Sequence, residues 1–238
     1  MNRVLQFARK RFVCGCHDGY YFDGVKYMSD IKKQMLFEHT YPVAASAFGR
    51  NDVAIKKDVY EHLASANHFS IIMNDNKGIA FRLWDFIPID KVNDVLYLAG
   101  MCVHKDYQGK GIGKCLLELV LQSDGYRQIH SVDQICALPP CKYIVFRTQN
   151  PIMKRCFEAF VGEEIYPRFG EDVPSDIVAA ASVVVNSLGD SLDSSMISRG
   201  VYGKSLYGDE VSVRSTPVSV FSAINVANGD AVYCVWRR

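Results

Sequence analysis

The chain has 238 residues, 49% of them hydrophobic, with 27 basic side chains against 26 acidic ones. That is enough apolar material for one sizeable core. So balanced a charge gives no field for steering onto nucleic acid, and no apolar run approaches the roughly 20 residues of a membrane-spanning helix, so neither partner is expected.

The opening residues 1–17 lack acidic side chains and carry Arg3, Arg9, Lys10 and Arg11. Such a segment has the charge of an organellar presequence but no serine, and it lacks the uninterrupted apolar stretch of a secretory signal. The expected location is cytoplasmic, with a mitochondrial one as the minor alternative. Eight cysteines are scattered along the chain. Cys102, Cys115, Cys156 and Cys234 sit within apolar patterns, where cysteine acts as a small hydrophobe, and free buried thiols are expected rather than disulfides. Cys14-Gly15-Cys16-His17 is the one metal-like cluster. Its partners would have to come from a distant pair such as Cys136 and Cys141, at a spacing that matches no usual zinc pattern, so no metal is expected.

Ser29 is placed to cap a helix running to about His39, with Ile31 and Met35 on one face. Tyr41 to Gly49 is apolar and ends in small residues and a glycine. Asp52 is placed to cap a second helix to about Ser65 that buries Val59 and Leu63. Phe69 to Met73 is a compact apolar run, followed by the turn signal Asn74-Asp75-Asn76-Lys77-Gly78 and a returning strand from Ile79 to Phe86. Val95 to Val103 is apolar on both faces, as a central strand would be. A leucine-rich helix follows from Lys114 to Gln122, then a strand from Tyr143 to Arg147.

Asn150-Pro151 opens the next helix, asparagine as the cap and proline at the first helical position. Ile152, Met153, Cys156, Phe157, Phe160 and Val161 recur at helical spacing, which predicts one broad buried face. A further helix from Ser175 or Asp176 to Leu188 is stopped by Gly189. Asp190 to Asp209 reads as a long surface loop. The chain closes with an expected hairpin, Val218 to Val226 and Ala231 to Trp236 about an Asn228-Gly229 turn. This order of elements predicts an α/β (α+β) fold, a mixed sheet flanked by helices. No break in composition divides it, so residues 1–238 are expected to form one domain.

The most informative segment runs from Leu96 to Gly113: a buried strand, a short polar turn, then Gln108-Gly109-Lys110-Gly111-Ile112-Gly113 opening a helix. Glycines remove the Cβ atoms that would hold an anion away from successive backbone N–H groups, and the positive end of the helix dipole adds to the attraction. A strand-to-helix turn that merely needs flexible residues would account for the glycines too. The spacing fits neither a P-loop nor a dinucleotide-binding loop.

Val103 with Gln108-Gly109-Lys110-Gly111-Ile112-Gly113 resembles the acyl-coenzyme A loop of the GNAT N-acetyltransferase superfamily, whose pattern is Q/R-x-x-G-x-G/A. Asn150 after the following strand is a second point of likeness. The resemblance covers about residues 50–161, with Tyr166 to Arg238 an extension that would shape acceptor choice or supply a lid or homodimer contact. It implies a mostly antiparallel sheet and acetyl-coenzyme A as cosubstrate, and an acyl group moved to a primary amine by direct attack in a ternary complex. The acceptor would be a small molecule or a protein. It places coenzyme contacts at Met101, Val103, Gln108, Gly109, Lys110, Gly111, Ile112, Gly113, Lys114 and Asn150, and the oxyanion donor at the Met101 backbone N–H. Tyr97 holds the family's frequent base position, and Asp94 just upstream could act through water. Each also has a plain account, Tyr97 as a strand aromatic, Asp94 as a turn residue and Asn150 as a helix cap. Two positions depart from the pattern. Phe157 stands where the family often has its general-acid tyrosine, and Val161-Gly162 replaces its usual Gly-Phe pair. Those departures keep a second reading open, an acyl-coenzyme A-binding module without turnover.

Overall fold

A computed structural model of the chain describes residues 6–89, 92–121, 141–208 and 220–238. Among these residues the strands form a sheet in the order β1-β2-β3-β4-β5-β6-β8-β7, with five α-helices. The strands are β1 (Lys10–Cys14), β2 (His17–Asp23), β3 (His68–Asn74), β4 (Lys77–Ile89), β5 (Val92–Val103), β6 (Tyr143–Thr148), β7 (Ile197–Ser198) and β8 (Ala231–Arg237). The helices are α1 (Asp30–Phe48), α2 (Val53–Ser65), α3 (Ile112–Leu121), α4 (Pro151–Val161) and α5 (Ser175–Leu188). The mixed, mostly antiparallel α/β architecture is as expected. Among the described residues no helix is long and apolar enough to cross a membrane. The contacts divide the chain into two compact units, one from Met1–Asp85 and Ala99–Pro140, the other from Phe86–Leu98 and Cys141–Arg238.

In the first unit β1, β2, β3 and β4 pair antiparallel in sequence order. The β1–β2 hairpin has no counterpart in the sequence reading, which treats these residues as a charged opening segment and a metal-like cluster. Alternation along β1 turns Phe12 and Cys14 inward. The Phe12 ring occupies the room left by Gly19, where a Cβ would meet it at 2.0 Å. The β3–β4 turn has Asp75 and Asn76 at φ 47° and 63°, the left-handed pair that a two-residue hairpin turn requires and that Asp and Asn tolerate. Asp52 caps α2 by accepting from the Ala54 and Ile55 N–H groups, and Val59 and Leu63 are buried as expected.

Helix α1 overruns its expected end. It continues through Pro42 to Phe48 and stops at Gly49, at φ 64°. Proline costs a helix a hydrogen bond and is normally read as a stop, but Leu36, Phe37, Thr40, Val43 and Ala44 are buried along the whole length. Burying side chains of Leu or Phe size is worth on the order of 1.5–3 kcal/mol each, comparable to the penalty of the proline. Ile31 is 75% exposed, so the buried face is not the one expected.

In the second unit β5 and β6 are parallel, with Tyr97 opposite Val145, and β8 pairs antiparallel with both β6 and β7. Asn150 caps α4, its side-chain oxygen accepting from the Ile152 N–H at 2.9 Å, and Pro151 is the first helical residue. The expected broad apolar face of α4 is corrected. Ile152 and Cys156 are exposed, Phe157 is buried, and the buried Lys154 pairs with Glu158. Helix α5 ends at Gly189 as expected. The terminal hairpin does not form among the described residues, since residues 220–223 and 226–228 are short 3-10 turns; residues 218–219 lie outside the description. Gly229 is needed for another reason, because a Cβ there would stand 2.6 Å from the Gly203 nitrogen.

Candidate functional site

The glycine loop lies in the first unit, at the junction of β5 and α3. The chain leaves Val103 through a 3-10 turn of Lys105–Tyr107, begun by His104, whose Nδ1 accepts from the Asp106 N–H at 3.4 Å. The turn is anchored on both sides. His104 N–H donates to the Ile79 carbonyl at 2.9 Å, and Lys105 N–H to Ser46 Oγ at 3.2 Å. Asn74 Nδ2 donates to the Tyr107 hydroxyl at 3.1 Å. Gln108 folds back, its Nε2 donating to the Val103 carbonyl at 3.0 Å, so its side chain closes the loop onto the strand.

Gly109 and Gly111 have φ of 73° and 77°, and a Cβ at either would meet no protein atom within 4 Å. Their demand is therefore for left-handed backbone facing open space. The first bond of α3 runs from Cys115 N–H to the Gly111 carbonyl at 3.0 Å. The N–H groups of Ile112, Gly113 and Lys114 precede it and have no acceptor within the helix, as at every α-helix start. Gly113 differs from the other two. A Cβ there would touch Met101 Cε at 3.8 Å and Val103 Cγ2 at 3.9 Å, so smallness at this position serves the packing of α3 on β5. Lys110 is exposed, with Nζ 5.1 Å from the centre of the Tyr107 ring. The structure thus gathers Met101, Val103, Gln108 and Gly113 around one strand-to-helix junction. Clustered free N–H groups at the positive end of a helix can hold a diphosphate.

Arg82 holds α3 from below. It is fully buried on β4 and donates to the Leu116 carbonyl at 3.0 Å. Burial alone lowers its pKa to about 9, so it stays a cation near neutral pH. On α3 itself, Ile112, Leu116, Leu117, Leu119 and Val120 are buried, which anchors the helix that follows the loop.

Tyr97, Asn150 and Phe157 belong to the second unit, and the Asp94 side chain lies outside the described residues. Tyr97 is 4% exposed, a buried rather than half-buried strand aromatic. It lies in a polar cluster that nothing in the sequence pattern foretells. Arg147 on β6 donates to Asp190 at 2.7 Å and to the Tyr202 hydroxyl at 3.1 Å, and the Tyr233 hydroxyl donates to Asp190 at 2.6 Å. Burial opposes the Arg147 charge, but the oxygens of Tyr202, Tyr97, Tyr233 and Asp190 outweigh it and hold its pKa above the usual value. Burial, and then the bond to Asp190, push the Tyr233 phenol up. The cluster keeps a fixed positive charge in the electrostatic neighbourhood of Tyr97. Phe157 is fully buried, with its ring centre 5.1 Å from Phe146 and 6.1 Å from Trp236.

Cys14-Gly15-Cys16-His17 is the turn of the β1–β2 hairpin. Among the described residues no group of three or more His, Cys, Asp or Glu is arranged to hold a metal ion.

The acetyltransferase (GNAT) domain model matches residues 65–143. No curated protein matches the chain significantly. Solved structures with some likeness include a GNAT-family acetyltransferase from Staphylococcus aureus Mu50, at 19% identity and TM-score 0.41, covering 66% of this chain and 90% of that one. The ribosomal-protein-S18-alanine N-acetyltransferase of Escherichia coli is 13% identical with TM-score 0.38, covering 92% of this chain and 93% of that one. The diaminobutyrate acetyltransferase of Paenibacillus lautus, solved with L-2,4-diaminobutyric acid and coenzyme A, is 12% identical with TM-score 0.38, covering 61% of this chain and 74% of that one. Likeness at this level does not bear on activity. The domain match spans β3, β4, β5, the glycine loop and α3, so the likeness to the acetyltransferase (GNAT) domain lies in these elements.

Proposed function

We propose that the chain moves an acetyl or short acyl group from acyl-coenzyme A to a primary amine, with the coenzyme's pyrophosphate on the loop Gln108 to Gly113. The observation that carries this reading is the pair Gly109 and Gly111, both left-handed and both open to space, immediately before the first-turn N–H groups of α3, which have no acceptor within the helix. The donors are those of any helix start; what the glycines add is a loop with no protein side chain over it.

An alkyl amine has a pKa of about 10.4 and is almost wholly protonated at neutral pH, so attack on the thioester needs a proton acceptor. Tyr97 is the assigned base, with the Arg147 charge in its electrostatic neighbourhood. The Met101 N–H is the assigned donor to the oxyanion. Tyr97→Phe is expected to lower kcat with little change in KM for the coenzyme, since it leaves the loop intact. Tyr97→Phe at full activity would remove the assignment, and a loss in Asp94→Asn instead would pass it to Asp94.

Phe157 supports a second reading, an acyl-coenzyme A-binding module without turnover. Coenzyme release from acetyl-coenzyme A, followed chromatographically with a panel of small amines and amine-bearing peptides, separates the two. Amine-dependent release establishes transfer. Binding of the coenzyme with no release by any amine leaves the binding module.

A further inference from the structure

Two oxygens meet one ring nitrogen in the first unit. His68 opens β3, directly opposite Asp23 of β2 on one side and Trp84 of β4 on the other. Its Nδ1 lies 2.8 Å from the Tyr21 hydroxyl and 3.2 Å from Asp23 Oδ1. Tyr21 precedes Asp23 by one full period of β2 and so shares its face of the sheet. The rings of Tyr21, His68 and Trp84 are nearly parallel, with the Trp84 centre 5.6 Å from each of the other two. Tyr21 and Trp84 are buried, whereas the His68 side chain keeps 15% of its surface open to solvent. We propose that Tyr21, His68 and Asp23 form a pH-sensitive latch between the N-terminal β1–β2 hairpin and β3, in which protonation of the ring moves its Nδ1 hydrogen bond from Tyr21 to Asp23.

A neutral imidazole has one donor and one acceptor nitrogen, and a carboxylate only accepts. The 2.8 Å contact fits a hydroxyl donating to Nδ1, with the ring proton on Nε2, whereas 3.2 Å is long for a bond to a carboxylate. A proton added at Nδ1 turns that acceptor into a donor. The Tyr21 hydroxyl then loses this acceptor, and Asp23 Oδ1 gains a charge-assisted bond, which draws in to about 2.7–2.9 Å.

Burial resists the added charge and holds the His68 pKa below the usual histidine value; Asp23 favours the proton, and Lys26 and Arg9 oppose it. Arg9 also donates to Asp23 Oδ2, so the carboxylate is engaged on its other side. On the same face of β4 stands Arg82, whose guanidinium donates to the Leu116 carbonyl. The folded ring thus binds its proton less tightly than an unfolded chain, which titrates at about 6.5. The stability held by the neutral ring is complete above about pH 6.5 and is lost as pH falls from there to the folded midpoint. Acid loosens the latch, and neutral pH closes it. His62 and His104 also stand near carboxylates, Asp58 at 3.4 Å and Asp106 at 3.7 Å. Those partners are close neighbours in sequence, so they link no separate segments, whereas Tyr21 is 47 residues from His68. The latch does not depend on the acyltransferase reading.

The test is an NMR titration of the full chain with isotope-labelled histidine. In the parent, His68 should be the Nε2–H tautomer at neutral pH and should titrate below about 6.5. Tyr21→Phe removes the donor to the neutral ring and should move the midpoint up. Asp23→Asn removes the charged acceptor and should move it down. Amide exchange of β2, corrected for its intrinsic pH dependence, should rise on acidification by up to about tenfold for each pH unit that the folded midpoint lies below 6.5. His68→Gln should abolish that rise. Asp85 titrates in the same range with the opposite sign, since burial makes its protonation favour the folded state, and so cannot imitate it. An Nδ1–H tautomer in the neutral parent, midpoints that do not separate in the stated order, or β2 exchange that still rises in His68→Gln would each overturn the proposal.

Discussion

Replacing Gly111 by glutamate tests the phosphate loop most directly. No protein atom lies within 4 Å of where its Cβ would stand, so the fold resists a side chain only through the left-handed backbone at φ 77°. That resistance is about 1–2 kcal/mol. Gly111→Gln carries the same strain and nearly the same volume without the charge, so the pair isolates electrostatics. A carboxylate about 5 Å from one phosphate charge is repelled by about 3 kcal/mol at an effective dielectric constant of 20, and by under about 1 kcal/mol in bulk water. Gly111 is exposed, so the true value falls between these limits. Gly111→Glu is therefore expected to bind coenzyme A about 5- to 150-fold more weakly than Gly111→Gln. Titration calorimetry measures the difference, and thermal melts confirm that both variants fold. Raising ionic strength to about 1 M, where screening acts over about 3 Å, should shrink the gap. Equal affinities in two folded variants would refute the phosphate reading of this loop.

The remaining expectations use other positions. Gly113→Ala should raise stability by about 0.5–1 kcal/mol in urea unfolding, since its Cβ meets Met101 and Val103 at ordinary contact distance, and coenzyme affinity should persist because the resembling pattern admits alanine there. A loss of stability would show the helix start to be tighter than its geometry. Burial raises Asp85 to about 6, although the Asn67 N–H opposes it, against about 3.9 in an unfolded chain. The folded state therefore binds the proton more tightly, and stability falls as pH rises from about 4 through 6. Asp85→Asn keeps the acceptor and removes the charge, so it should out-stabilise the parent above pH 6 and match it below about pH 4. The gain is at most about 2–3 kcal/mol, less for partial exposure; equal stabilities at pH 8 would refute it. Phe157→Tyr should change kcat by less than about tenfold, roughly 1.4 kcal/mol, and lower stability by about 1–3 kcal/mol by burying a hydroxyl; a hundredfold rise in kcat would show that sulfur departure limits the native protein.

What the sequence discloses follows the range of the interactions. Asp52, Asn150-Pro151, Gly189 and the turn at Asp75-Asn76 act within a few residues, and each does what its chemistry predicts. The errors lie where distant partners decide. Asn228-Gly229 has the composition of a hairpin turn, but β8 finds its neighbours in β6 and β7. The buried Asp230 instead gathers the Gly200 and Asn225 N–H groups and Arg199 around this stretch. Periodicity on α4 identified apolar residues without saying how wide a face the fold would cover, so Cys156 is exposed where a core position was expected. The candidate site divides in the same way. The loop is legible because its glycines answer local backbone demands, whereas Arg147, Asp190, Tyr202 and Tyr233 come from separate segments and carry no shared pattern.

Phe157 separates the demands of packing from those of catalysis. Its ring is fully buried against Phe146 and Trp236, so the core by itself accounts for an apolar aromatic at this position. A phenol in the same place would be cut off from water. Since burial disfavours its ionised form, it would yield its proton less readily than a phenol in water. The benefit of a general acid here is therefore small, while the cost to the core is real. An alkyl thiol has a pKa of about 8.5, only about 1.5 units above neutral pH, so leaving as a thiolate costs roughly 2 kcal/mol relative to leaving as a thiol. That is a modest fraction of the 8–23 kcal/mol by which enzymes lower barriers. On the acyltransferase reading, the absence of a tyrosine at 157 would therefore slow acyl transfer without forbidding it, so Phe157 is compatible with that reading as well as with a binding module.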